Sequence, residues 1–177
     1  MRKDWSRQKV EKLCEQGGSV QTGPFGSQLH SDDYIENGVP VVMPQNIEDG
    51  RITTDDIAQI GDDDWKRLSK YHLEPGDIVF ARRGDLSRIT IIDSEQEGWV
   101  CGTGCIRVRF NGAPIDDQYA YYFLSRDQTE EILLSKAVGS TMPNLNTDII
   151  RSLQITTPPL PTQRRIAEIL SALDDKI

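Results

Sequence analysis

The side chains best suited to recognition by hydrogen bonding sit in three polar stretches. Arg82, Arg83 and Arg88 belong to the run Arg82-Arg83-Gly84-Asp85-Leu86-Ser87-Arg88, Gln45 and Asn46 close an apolar run, and Ser140, Thr141 and Asn144 share the segment GSTMPNLN. An arginine fork can donate two parallel N–H bonds to phosphate oxygens or to a guanine edge, a Gln or Asn amide suits adenine, and hydroxyls serve phosphates or bases. The same residue types populate ordinary solvated turns. Composition alone leaves both readings open.

Catalytic chemistry finds little support. No phosphate-cradling Walker loop is present, and Gly102-Thr103-Gly104 is a lone Gly-x-Gly in a strand pattern, which reads as a bulge or a close approach of backbones. His30 and His72 are isolated, with no patterned serine or cysteine partner for a hydrolytic triad. Cys14, Cys101 and Cys105 make an odd count without a secretory lead, so reduced thiols are expected. Cys101 and Cys105 lack the second ligand pair of a zinc site and read as small buried strand residues. The acidic runs Asp55-Asp56 and Asp62-Asp63-Asp64 suit solvated helix starts, and no carboxylate pair stands out as an acid and base. The expectation is a non-enzyme without metal or cofactor.

Such residues need a scaffold. A chain of 177 residues, 37% hydrophobic and 27% charged, supports one good core. No apolar run approaches the ~20 residues that span a bilayer, and the opening MRKDWSRQKVEKLC lacks the core of a signal peptide, so a cytoplasmic protein with no membrane partner is expected. A net charge of −8 argues against binding nucleic acid through bulk charge but leaves room for a local basic patch.

The pattern predicts α+β architecture: a compact, β-rich domain over residues 1–158 with flanking helices, then a terminal helix over 159–177. Gly23-Pro24-Phe25-Gly26-Ser27 reads as a tight loop packed by its aromatic ring, and Ser31 as the cap of a brief helix over Asp32 to Glu36 that stops at Asn37-Gly38. Strands are expected at Val39 to Met43, Ile78 to Ala81 and Ile89 to Ile92. DDDWKRLSKYH, residues 62–72, places acids first and bases last, as a helix dipole favours. In WVCGTGCIRVRF, Ile106, Val108 and Phe110 interleave with Arg107 and Arg109, which predicts a strand with one apolar and one exposed basic face. From Asp116 to Gly139 the period becomes helical, about 22 residues without a breaker. Asn146 can cap a turn of helix through Arg151, and Leu153 to Ile155 forms the last strand.

The final stretch, PPLPTQRRIAEILSALDDKI, starts a helix near Pro161, where a missing N–H costs little. Ile166, Leu170, Leu173 and Ile177 fall at coiled-coil spacing, with Ile169 widening the stripe towards the domain. A seam of this kind calls for a partner helix, although packing on its own domain is the blander alternative.

Three stretches carry a family resemblance: GPFGSQLHSDDYIENGVPVVMPQNIEDGRI, HLEPGDIVFARRGDLSRITII and AVGSTMPNLNTDIIRSLQITTPPLPTQRRIAEILSALDDKI. In order and spacing they resemble the target recognition domain of the specificity subunit of type I restriction-modification systems, and the terminal proline-to-helix stretch is the most specific part. The resemblance implies a sequence-specific DNA reader for one half of a bipartite target on double-stranded DNA. It further implies methyltransferase (M) subunits that use S-adenosylmethionine, an ATP-dependent motor-nuclease (R) subunit, and a second recognition half or second copy joined through the C-terminal helix. S-adenosylmethionine and ATP belong to those partners. The sequence agrees in lacking an [Asn/Asp]-Pro-Pro-[Tyr/Phe] motif; Thr157-Pro158-Pro159-Leu160 has the prolines with the wrong flanks. With the resemblance, Arg82, Arg83 and Arg88 are the first candidates for DNA contact, followed by Gln45, Ser140, Thr141 and Asn144. Ile166, Leu170, Leu173 and Ile177 are the candidates for the helix interface.

Two alternatives stay open: a specificity-domain fragment of a fused restriction-methylation enzyme, or an interaction scaffold that no longer reads DNA. Met1 just ahead of Trp5 favours an independent N-terminus. The abrupt end favours a longer subunit cut short over a half-sized form, since no Gly or basic cap follows Ile177.

Overall fold

Short strands and short helices follow one another because turn residues interrupt the apolar runs every few residues. The computed structural model describes residues 5–25, 28–139 and 143–174. β1 (Ser6–Lys9) runs directly into α1 (Val10–Cys14), and β2 (Ser19–Thr22) follows. A 3-10 turn at Ser31–Asp33 leads to β3 (Tyr34–Val42), and a second at Pro44–Asn46 leads to the ribbon of β4 (Ile47–Glu48) and β5 (Arg51–Ile52). Next come β6 (Gln59–Ile60), α2 (Asp62–Arg67), β7 (Ile78–Ala81), β8 (Ile89–Ile91), β9 (Val100–Cys101) and β10 (Cys105–Arg109). The chain ends through α3 (Asp117–Leu124), α4 (Asp127–Lys136), α5 (Thr147–Ser152), β11 (Gln154–Thr157) and α6 (Leu160–Asp174).

The central sheet is antiparallel and four-stranded, in the order β2-β10-β7-β8. A smaller sheet, β6-β3-β9, is mixed, with β3 and β9 parallel. β1 pairs with β11, Ser6 opposite Thr157, so the two ends of the domain are stitched together. β7 reads Ile-Val-Phe-Ala without alternation because both of its faces are covered. Ile78 and Phe80 join Ile106, Val108 and residues of α1, α3, α4 and α5 in the main core, while Val79 and Cys105 face a second cluster with Val42, Ile47 and Leu73. Cys101 and Cys105 are free and buried, and burial pushes the Cys101 thiol up to about 12 and that of Cys105 well above its ordinary range.

The expected basic face of β10 is not exposed. A second layer covers it, and both arginines are consumed by that layer. Arg109 forks onto Asp77, Nε to Oδ1 and Nη2 to Oδ2, each at 2.7 Å. The Asp77 side chain is fully buried, and its Oδ2 also accepts the Glu74 amide N–H at 2.8 Å. Arg107 is 6% exposed, with Nη1 donating to the His72 carbonyl at 2.8 Å and Nη2 to Ser19 Oγ at 3.1 Å. The turn before β7 is thereby held against β10.

Other expectations are corrected by local geometry. The predicted helix from Asp116 to Gly139 breaks into α3 and α4. In an unbroken helix the Phe123 carbonyl would accept the Asp127 N–H; instead it accepts Arg126 Nε at 2.8 Å and Thr129 Oγ1 at 3.2 Å. The Arg126 guanidinium also lies over the Phe123 ring, 3.5 Å from its centroid. The brief helix expected over Asp32 to Glu36 is a 3-10 turn closed by the His30 N–H on Asp33 Oδ2 at 2.7 Å, after which β3 begins. Asn37 and Gly38 mark a register shift inside that strand, with Asn37 at φ 60° and no room for a Cβ at Gly38, which would lie 2.2 Å from the Ile60 carbonyl oxygen. The helix expected through His72 stops at Arg67, and a 3-10 turn at Ser69–Tyr71 completes it.

Phe25 is 57% exposed and does not pack its loop. Gly23 closes it instead: a Cβ there would lie 1.9 Å from the Gly102 carbonyl oxygen. Gly102 is equally confined by the Val42 carbonyl, which accounts for the lone Gly-x-Gly as close packing. Gly26 and Ser27 lie outside the described residues.

Replacing Asp77 by Ala leaves Arg109, and the Glu74 N–H, without their buried acceptor. The expected cost is about 3–5 kcal/mol, read from urea unfolding; a loss under about 1 kcal/mol would show that the pair is dispensable. Asp117, at the start of α3, has its carboxyl raised from 3.8 to about 6, by burial first and then by Asp116 and Asp77. An acid raised in the folded state favours folding while protonated, and this contribution is lost as pH rises through the folded value. Asp117→Asn is therefore expected to gain thermal stability relative to the native chain between pH 3.8 and about 6. A parallel pair of melting curves across that window would contradict the shift.

Candidate nucleic-acid interface

The β7–β8 connection, residues 82–88, is anchored at both ends. The Ala81 N–H donates to the Arg88 carbonyl at 2.9 Å, and the Arg82 N–H to the Gly104 carbonyl at 2.7 Å. The loop after α4 docks on the same point. The Leu145 N–H donates to the Arg82 carbonyl at 2.9 Å, and Arg82 Nε returns bonds to Asn144 Oδ1 at 3.1 Å and the Leu145 carbonyl at 2.9 Å. Asn144 and Val138 exchange two backbone bonds, each 3.1 Å, which close that loop at its base. Two of the predicted residues, 62 positions apart, are thus brought into direct contact.

Arg83 pairs through its backbone with Asn144 and exposes its side chain. Burial first, and then the adjacent Arg83 charge, pull the Arg82 guanidinium below its ordinary value. Among the described residues, neither arginine has a carboxylate within ion-pair distance. Two adjacent cations on a rigid support, unneutralised, constitute an anion-attracting point.

Arg88 is placed differently. Its Nη1 donates to the carbonyls of Ile47 at 3.0 Å, Pro44 at 3.3 Å and Gln45 at 3.4 Å, and its Nε to Asp85 Oδ2 at 3.3 Å. The Ser87 hydroxyl, with Arg88 adding to it, holds the Asp85 carboxyl below its ordinary value. Arg88 is a strut that fixes the 3-10 turn on which Gln45 is exposed, and Asn46 beside it is buried with its Oδ1 on the Met43 N–H at 3.0 Å. Ser140 and Thr141 lie outside the described residues.

The terminal helix begins at Leu160 and meets the domain along Gln163, Ile166 and Ala167. Ile166 packs against the main core, Leu170 is half-buried, and Leu173 is 54% exposed. Ile169, expected to face the domain, is instead 50% exposed beside Leu173 one turn on. Ile177 lies outside the described residues.

Residues 7–177 match the family described as Type I restriction modification DNA specificity domain. The chain belongs to this family. Within the curated proteins, this specificity domain is 24% identical over 178 residues to the MjaVIII type I restriction enzyme specificity subunit of Methanocaldococcus jannaschii, covering 98% of the chain and 40% of that protein. Among solved structures it is similar to the HsdS subunit of Thermoanaerobacter tengcongensis, with a TM-score of 0.71, 19% identity, and coverage of 99% of this chain and 43% of that one. The type I restriction-modification S subunit of M. genitalium gives a TM-score of 0.65 at 18% identity, over 97% of this chain and 39% of that one. The specificity domain therefore spans less than half of the relatives it matches, and its mixed helix-and-sheet fold is theirs.

One fastening residue escaped sequence reasoning. Gln163 is 1% exposed; its Nε2 donates to the Pro158 carbonyl at 2.7 Å and its Oε1 accepts the Asp116 N–H at 2.9 Å. Its position three residues before Ile166 on the buried stripe was the available signal. No helix among the described residues is long and apolar enough to cross a membrane.

The contrast between Arg88 and Arg83 is measurable. Arg88→Ala frees three carbonyls and is expected to cost about 1–2 kcal/mol of unfolding free energy, whereas Arg83→Ala should stay within about 0.5 kcal/mol. Equal effects in chemical denaturation would refute the division into strut and free cation.

Proposed function

We propose that this specificity domain reads one half of a bipartite target on double-stranded DNA and directs adenine methylation and cleavage carried out by partner subunits. The observation that carries the reading is the Arg82–Asn144–Leu145 junction, which presents Arg82 and Arg83 from a strand-anchored base, with no carboxylate within ion-pair distance among the described residues. Base recognition demands donors fixed to within a fraction of an ångström, and a loop tied to a strand at one end and to a second loop at its side meets that demand. Gln45 on its braced turn, together with Ser140, Thr141 and Asn144, completes the candidate reading set. Arg88 supports Gln45 and contributes to reading through that position.

The domain's own chemistry is binding. Methyl transfer from S-adenosylmethionine is assigned to methyltransferase subunits and ATP-driven cleavage to a motor-nuclease subunit, as in the type I systems whose specificity subunits this domain resembles. The exposed Ile169 and Leu173, with Leu170 at the edge, form the face through which α6 would pack on the helix of a second recognition half or a second copy.

The test is fluorescence anisotropy with duplexes recovered from a randomised pool. Arg82→Ala with Arg83→Ala, its fold checked by circular dichroism, is expected to lower affinity for the selected duplex about 10- to 100-fold, the range for losing one well-made base contact. Recovery of no preferred duplex by the native chain together with its methyltransferase subunit would overturn the reading.

A further inference from the structure

A groove of about 470 Å³ runs between α4 and the β1–β11 ribbon, away from any residue assigned to reading. One wall runs from Arg126, the residue before α4, to Lys136 at its end; the other is the ribbon, where Arg7 stands opposite Thr156. The floor is Phe123, Leu124 and Leu153, and among the described residues no carboxylate lines it. In a chain of net charge −8, a groove with three cations and no acid departs from what an average surface would hold.

The cations are also held in place. Arg126 is stacked on Phe123 and bonded through Nε to the Phe123 carbonyl, and the residue is exposed. Lys136 Nζ donates to Ser152 Oγ at 2.9 Å, a neutral partner that positions the ammonium and keeps its charge. Among the described residues none of the three makes an ion pair, whereas Lys12, Arg67, Arg109, Arg151 and Arg165 all do.

Along the chain, one end of the groove lies next to the reading junction. Lys136 lies two residues before Val138, whose backbone pairs with Asn144, the residue that holds Arg82. From there α4 carries that wall along its ten residues, about 15 Å, to Arg126. Strand phosphates advance about 3.4 Å per step along a duplex, so this length matches roughly four steps.

We infer that the groove of Arg7, Arg126 and Lys136 binds the phosphate backbone of the DNA strand beside the bases read at Arg82 and Arg83. This rests on the DNA-reading proposal and deepens it, by dividing the domain into a junction that specifies sequence and a groove that sets register and affinity. Cations on phosphates release counterions whatever the sequence, while base contacts discriminate. The groove is therefore predicted to act on affinity and its salt dependence and to leave sequence preference unchanged.

The experiment measures log K against log salt for the full chain on its selected duplex and on an unrelated one. The variant Arg7→Gln, Arg126→Gln, Lys136→Gln is expected to flatten the slope by about 1 for each cation removed, about 3 together, equally for both duplexes. Arg7→Gln alone, on an exposed residue, should flatten it by about 1 and guards against loss of fold in the triple variant. Arg126→Lys with Lys136→Arg should retain the native slope. An unchanged slope in the triple variant, while Arg82→Ala with Arg83→Ala still lowers affinity for the selected duplex, would overturn the groove and spare the reading proposal. Absence of any DNA preference in the native chain would overturn the reading itself. Inorganic phosphate titrated by NMR separates the remaining source: saturation at the groove with an unchanged DNA slope in the triple variant would make it a site for free anions, against the inference. Loss of association with a methyltransferase subunit, again with the DNA slope unchanged, would make it a protein contact and overturn the inference as well.

Discussion

The Arg109–Asp77 fork, buried between the central sheet and the turn that precedes β7, is the contact on which the rest of the architecture depends. Asp77 is fully enclosed, so its charge is tolerated only because a guanidinium and a backbone N–H meet both oxygens. Removing water from two charges is costly, and geometry of this quality is what offsets the cost. By fixing residues 72–77 against β10, the fork sets where β7 begins. β7 in turn ends at Ala81, next to Arg82, so the 82–88 loop inherits its position from the Asp77–Arg109 pair where that strand begins.

That arrangement sorts the arginines by task. Arg107 and Arg109 are structural, because the second layer of small strands and 3-10 turns covers the face on which they lie. Arg88 is a brace on three carbonyls. Arg82 is half structural, giving Nε to the Asn144 loop, and Arg83 is exposed. Even in this acidic protein, among the described residues Arg82, Arg83 and the three cations of the α4 groove make no ion pair, while Lys12, Arg67 and Arg151 do.

The break between α3 and α4 belongs to the same economy of donors. A single carbonyl, that of Phe123, is taken by two side chains, and the helix axis turns there. The turn places Arg126 at one end of the groove and Lys136 at the other. At the domain's end Gln163 does comparable work for α6, satisfying three backbone groups between α3 and the Pro158 corner so that the helix leaves the domain in one direction.

The sequence by itself determined much of the frame. IVFA, the Glu74-Pro75-Gly76-Asp77 turn, the Asn146 cap and the amphipathic tail are local signals, each set by the preferences of a few adjacent residues, and the strand at Ile78–Ala81, α5 and α6 appear where those signals lie. The stretches around Gly23, Arg82 and Pro158 also carried the family. What only the tertiary structure decided were questions of which side faces what. Alternation in β10 marked two faces but not that both are covered, so Arg107 and Arg109 read as free surface cations while one is buried and the other is tied to a buried carboxylate. The stripe on α6 marked an apolar side but not which of Ile166 and Ile169 meets the domain. Arg82, Arg83 and Arg88 are the same residue type within seven positions, and nothing local distinguishes them. Their separation into anchor, exposed cation and strut comes from carbonyls supplied by Asn144–Leu145 and by Pro44–Ile47, segments brought close only when the whole chain folds.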